Sequence, residues 1–110
     1  MPTLFHYTDR AGHDGIRASR QLLPSTKARN PREARHGDGQ YLTDIRPGTM
    51  SGARLSRALR GNPFEGLRFT HYVEIDVAGL QVVMGAPHVY VVPNDRPLDL
   101  TGRVVRSGTN

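Results

Sequence analysis

The chain has 110 residues, 36% of them hydrophobic, and a formal net charge of +5 from 15 basic and 10 acidic side chains. That length fits one domain, read as residues 1–110. The absence of cysteine excludes disulfides and thiolate chemistry, and no apolar run approaches the roughly 20 residues that a membrane-spanning helix needs. No cationic start with an apolar stretch follows the first methionine, so no signal peptide is expected; a longer secreted protein carrying its address upstream remains compatible with this. Fourteen of the 15 basic residues are arginine, whose planar fork binds phosphate and carboxylate. Either a GC-rich coding sequence or an anionic partner explains that bias: a dinucleotide, RNA or an acidic protein surface.

In chain order, residues 3–7 form a short strand candidate ending in His6-Tyr7-Thr8. Asp9 is placed to cap a helix over residues 11–20, because its carboxylate accepts from free backbone N–H groups. Pro24 and Ser25 stop that helix. A polar, basic loop over residues 26–36 follows, with Asn30-Pro31 as a turn signal; it is either a lid or a connection. A second strand over residues 40–45 follows Gly37-Asp38-Gly39 and carries Tyr41. Residues 50–60 predict a second helix capped by Ser51, with Leu55 and Leu59 on one face and Arg54, Arg57 and Arg60 as a basic stripe beside them.

From Phe69 the pattern alternates. Phe69, His71, Val73, Ile75 and Val77 face one side and Thr70, Tyr72, Glu74 and Asp76 the other, as in a half-buried antiparallel strand. Further strands are expected over residues 80–84, 88–92 and 98–105, the last interrupted at Gly102, with a loose tail over residues 106–110. Two helices in the first half and a β-rich second half predict an α+β domain with antiparallel sheets.

The strand ending in His6-Tyr7-Thr8 and the strand Gly39-Gln40-Tyr41-Leu42-Thr43-Asp44 read as two walls of a slot for a flat, phosphate-bearing ligand. With the β-rich second half and Pro97-Leu98-Asp99-Leu100-Thr101-Gly102, they resemble ADP-ribosyltransferases of the diphtheria-toxin and poly(ADP-ribose) polymerase branch. More narrowly, the chain is similar to the His-Tyr-Asp class of toxin domains at the C-termini of bacterial polymorphic toxins. The resemblance implies a split antiparallel β-sandwich with about two helices in the N-terminal half. It also implies NAD as the substrate, without a metal. His6 would bond a ribose and the backbone of Tyr7 would clamp the nicotinamide amide. Tyr41 would stack on the nicotinamide ring, with Thr8 and Gly39 also against the dinucleotide. The third catalytic group is expected at Asp99, with Asp44 as the alternative, since His88 stands where polymerase-type members carry a glutamate. Implied further are a macromolecular acceptor (protein or nucleic acid), a cognate immunity protein, and a secreted or injected effector acting in a target cell's cytoplasm.

Plainer roles exist for the same residues. His6 is a strand histidine and Tyr41 a core aromatic if no slot forms. Asp99 is equally a turn residue, and His71 belongs on the apolar side of its strand. The scattered histidines 6, 13, 36, 71 and 88 offer no metal-ligand spacing. Two other functions stay open: a basic RNA-binding domain using Tyr7, Tyr41 and Tyr72 to stack bases, and an RNA 2′-phosphotransferase-like enzyme.

Overall fold

A computed structural model describes residues 2–110. The first half runs β1 (Thr3–Thr8), α1 (Arg10–Ser19), β2 (Gln21–Leu22), β3 (Gly39–Leu42) and α2 (Gly52–Arg60). A 3-10 turn (Gly66–Phe69) leads into β4 (His71–Asp76), β5 (Val83–Ala86), β6 (Val89–Pro93), β7 (Leu98–Asp99) and β8 (Val104–Thr109). Both caps form as the sequence indicates: Asp9 accepts from the Gly12 N–H at 2.8 Å and Ser51 from the Arg54 N–H at 3.2 Å. The protein is α+β, with its two helices in the first part of the chain.

The strands form three antiparallel sheets, ordered β1-β4-β8, β2-β7 and β3-β6-β5. Strand alternation sends Leu4, Val73 and Ile75 to one face of the first sheet, where they meet Ile16 of α1, Leu42, Val92 and Leu100. Phe5, Tyr7 and Tyr72 go to the other face, against Leu55 of α2, Ile45 and Phe69. The sheet is therefore covered on both sides by apolar side chains.

This double covering corrects part of the expected pattern. Tyr72 does not face water; it packs edge-on to Phe5, with ring centroids 6.2 Å apart. Phe69 lies in the 3-10 turn before β4, buried beside Tyr7. The strand expected over residues 80–84 is shifted to Val83–Ala86, because Leu80 and Val82 pack against the first core instead. The stretch 98–105 is not one strand. The chain turns at Gly102, whose φ of 75° suits glycine, and β7 and β8 join different sheets. The tail is ordered for the same reason: β8 pairs with β4 from His71↔Thr109 onward.

Two backbone bonds hold the first and third sheets together at one point. Phe5 N–H donates to the Thr43 carbonyl and Thr43 N–H to the Phe5 carbonyl, both at 2.8 Å. Beyond this bridge β1 and β3 leave an opening between them.

Candidate active site

The opening is a cleft of about 380 Å³, within the size range of small-molecule sites. Its floor comes from β1 and β3, which contribute His6, Tyr7, Thr8 and Tyr41. Its remaining walls come from the loop between β2 and β3, from the end of α2, and from the 3-10 turn.

His6 is fixed by Tyr41. Its Nδ1 lies 3.1 Å from the Tyr41 carbonyl oxygen. A carbonyl only accepts, so Nδ1 carries the proton and Nε2 of the neutral ring is left as an acceptor for a ligand hydroxyl. Burial holds the ring's pKa below its ordinary value, and the carbonyl bond only partly opposes that. Neutral imidazole is therefore the favoured form at physiological pH.

Tyr7 presents its backbone to the cleft, because its side chain is committed elsewhere. The hydroxyl donates to the Ile45 carbonyl at 2.9 Å, and burial, helped by Tyr72, pushes its pKa up to about 12. In an antiparallel strand, N–H and C=O groups of residues two apart point to the same edge. Since those of Phe5 bond Thr43, those of Tyr7 point into the opening past that bridge.

The Tyr41 hydroxyl is also occupied. It donates to the Gly37 carbonyl and accepts from the His36 N–H, both at 2.8 Å. Desolvation raises its pKa, so it stays a neutral anchor, and the ring rather than the oxygen is what it offers a ligand. These bonds fasten the loop of residues 26–38 as a wall. Lys27 N–H bonds the Asp38 carboxylate at 2.8 Å, Ala34 is buried, and Glu33 pairs with Arg60 and Arg68. The loop adds Arg32, Arg35 and His36 to the cleft.

The cleft wall thus carries four arginines, 32, 35, 60 and 68, against the acidic Asp9 and Glu33. Neither Arg32 nor Arg35 takes part in an ion pair among the described residues. A concave site with two such guanidinium groups suits an anion with several oxygens. Among the described residues no group of three or more His, Asp or Glu is placed to hold a metal ion.

The match that decides the family is a model described as "HYD1 signature containing ADP-ribosyltransferase", which covers residues 4–104. The chain belongs to this ADP-ribosyltransferase toxin family. No curated protein and no solved structure matches it.

Of the residues that the resemblance to ADP-ribosyltransferases singled out, His6, Tyr7, Thr8 and Tyr41 come together in the cleft. Gly39 and Asp99 are not among its lining residues. Gly39 answers a packing need: a Cβ there would lie 2.2 Å from the Val92 carbonyl oxygen, at a φ of 153°. Asp99 sits on β7, paired with Gln21 and exposed. Its carboxylate caps the following turn by accepting from the Thr101 N–H at 2.9 Å, and that bond lowers its pKa. Asp44 is likewise absent from the lining, but it directly follows the cleft residue Thr43. Its Oδ1 lies 2.7 Å from His88 Nδ1 and its Oδ2 accepts from the Tyr90 hydroxyl at 3.1 Å. Desolvation works to raise the Asp44 pKa, but these two partners outweigh it and hold the carboxyl below its usual range. His88 takes up this position with a φ of 64°, a left-handed backbone that costs a non-glycine residue energy.

The loop residues Arg32, Glu33 and Arg35 were missed as site residues. They carry no periodicity, and the only signal was a basic loop running directly into the glycine-spaced strand.

Proposed function

We propose that this domain is an NAD-dependent mono-ADP-ribosyltransferase that acts as a toxin. It would cleave the bond between C1′ of the ribose and the nicotinamide nitrogen and pass ADP-ribose to a macromolecular acceptor, protein or nucleic acid. The observation that carries the reading is the locked His6–Tyr41 pair: a neutral imidazole with one acceptor nitrogen left over, beside an aromatic ring, under an arginine-rich wall. Nε2 would accept a ribose hydroxyl, and the Tyr7 backbone would take the carboxamide through one donor and one acceptor. The Tyr41 ring would stack on the nicotinamide, with Thr8 beside it. Arg32 and Arg35 would take the diphosphate.

Cleavage develops positive charge on the ribose as neutral nicotinamide leaves. The bond that breaks returns its electron pair to the pyridine nitrogen, and the acceptor nucleophile then bonds C1′ and gives up its proton. Such a reaction needs rigid positioning and a nearby carboxylate rather than covalent help. We assign that carboxylate to Asp44, held by His88 and Tyr90, in place of Asp99. The family supports a setting in which the toxin is a secreted or injected effector working in a target cell, with a cognate immunity protein guarding the producer.

The test is nicotinamide release from NAD by the purified domain, alone and with target-cell lysate. His6→Ala and Tyr41→Ala should each lower release by about a hundredfold, the scale expected when one preorganised contact to the transition state is removed, while both variants keep a cooperative unfolding transition. Undiminished release in both would overturn the assignment of the cleft. No affinity for NAD, together with RNA binding that falls steeply with salt, would replace the reading by the RNA-binding one.

A further inference from the structure

One carboxylate in the cleft wall is set between two guanidinium groups. Glu33, Arg60 and Arg68 all line the cleft. Arg68 Nη1 donates to Glu33 Oε1, and Arg60 Nη2 lies 3.8 Å from the same oxygen. Glu33 Oε2 bonds nothing among the described residues. Both arginines also meet a second carboxylate, Glu65, which is not among the lining residues. Glu65 accepts from Arg60 Nε and Nη2 at 3.3 and 3.2 Å, and its Oε1 lies 3.7 Å from Arg68 Nε. Glu65 is itself fixed: Asn62 Nδ2 donates to it at 3.1 Å, and its backbone N–H donates to the Oγ of buried Ser56 at 3.0 Å. The Arg60 guanidinium, then Asn62, holds the Glu65 carboxyl below the usual carboxylate range. Arg60 is thus gripped by a two-bond fork whether or not Glu33 stays beside it.

The two carboxylates therefore differ in role. Glu65 orients the guanidinium groups, and Glu33 fills the space in front of them. An arginine fork receives a carboxylate and a phosphate in the same geometry, so Glu33 Oε1 stands where an anionic oxygen of a ligand would. The pairing is one that can exchange. The Arg68 side chain is 54% exposed, and ion pairs in contact with water are weak. Letting go needs only side-chain rotation, because the backbone around Glu33 has its own bonds. The N–H groups of Glu33 and Ala34 donate to the Asn30 carbonyl at 3.1 and 2.9 Å, Ala34 is buried, and the Tyr41 hydroxyl holds Gly37. The cleft of about 380 Å³ is near the lower end of the range for small-molecule sites, whereas a dinucleotide is a long ligand. A diphosphate brought against an unmoved Glu33 would also meet like charge.

We propose that Glu33 is a displaceable stand-in for one phosphate of NAD: the dinucleotide seats by taking Arg60 and Arg68 over from Glu33, while Arg32 and Arg35 take the other phosphate. That the diphosphate belongs to NAD rests on the transferase reading above. Opening the Glu33 pair lowers the apparent affinity for the ligand, so Glu33 acts on binding and not on bond cleavage. The test measures affinity for ADP, which carries the diphosphate but no bond to cleave, by calorimetry, alongside KM and kcat for nicotinamide release from NAD. Glu33→Gln should bind ADP about fivefold more tightly and lower KM for NAD by a similar factor, with kcat within about twofold, the scale of one exposed ion pair. Glu33→Ala should act in the same direction. Glu65→Gln removes the same charge from the same two arginines but takes the fork from Arg60, so it should weaken ADP binding. A Glu33 that merely braces the wall would give weaker ADP binding in both of its variants, and that result, or unchanged affinity, overturns the proposal. Equal tightening by Glu65→Gln overturns it too, since net charge alone would then explain the gain. Failure of the transferase reading shows separately: no nicotinamide release by the unsubstituted chain, in buffer or lysate, overturns that reading, and the ADP affinities still decide the role of Glu33.

Discussion

At His6 one hydrogen bond decides both protonation and tautomer, and this gives the residue a pH signature. The folded ring resists protonation, so its pKa lies below the ordinary 6.5. Above pH 6.5 neither the folded nor the unfolded ring is charged, and the full stability is present. As pH falls below 6.5 the unfolded chain takes up a proton first, so stability is lost until the folded pKa is reached. Denaturant midpoints at pH 7.5 and pH 5 should therefore differ, and His6→Gln, which cannot titrate, should reduce that difference. An equal pH dependence in the variant would contradict the lowered pKa assigned to His6. Turnover should show the same group, with an acid limb whose midpoint lies below 6.5, since only the neutral ring leaves Nε2 free to accept. The type and pairing of His6 and Tyr41 were legible in the sequence because short strands carrying His-Tyr-Thr and a glycine-spaced tyrosine are local patterns. That Asp99 lies outside the cleft lining was not legible, because its place depends on β7, a two-residue strand defined only by its pairing with β2. The local signal available there, Asp followed two residues later by Thr, pointed to the turn that its carboxylate in fact caps.

Among the elements, the loop of residues 26–38 supplies Arg32, Glu33, Arg35 and His36 to the cleft lining with the least pattern. It has no regular structure, yet the Tyr41 hydroxyl, Asp38 and Glu33 hold it in place. Tyr41→Phe separates its two jobs: the ring stays for stacking while both bonds to His36 and Gly37 are lost. The expected cost is about 1–2 kcal/mol of stability, as for two hydrogen bonds whose partners can turn to water. Amide exchange over residues 32–38 should speed up and KM for NAD should rise more than kcat falls, because Arg32 and Arg35 would no longer be held over the cleft. Unchanged exchange and KM would mean that the loop is positioned by its ion pairs alone. The helices were readable through Asp9 and Ser51, whose capping chemistry is local. The sheets were readable as antiparallel but not in their partition. Alternation names the faces of a strand and leaves its partner open, which is why the tail was expected to be loose and instead closes the first sheet as β8.

For the molecule as a whole, charge is the property most directly tied to function. A net charge of +5 with 14 arginines raises the local concentration of anions around the protein, and the concave, arginine-lined cleft adds to that field. Screening separates this long-range attraction from the short-range contacts of His6, Tyr7 and Tyr41. At about 0.1 M ionic strength the Debye length is about 10 Å and it shrinks to about 3 Å at 1 M. Arg32 and Arg35 are unpaired by carboxylates among the described residues, so their hold on a diphosphate should weaken across that range, whereas stacking and the backbone amide clamp should not. KM for NAD is therefore expected to rise severalfold between ~0.05 and ~0.5 M salt with kcat changed by less than about twofold, because the proposed function puts the bond to be broken at the His6 end of the cleft. Arg32→Ala/Arg35→Ala should raise KM at low salt and flatten its salt dependence. A KM indifferent to salt in the unsubstituted protein would show that the dinucleotide is held by its rings alone, and the arginine bias would then need the coding-sequence explanation rather than the anionic-partner one.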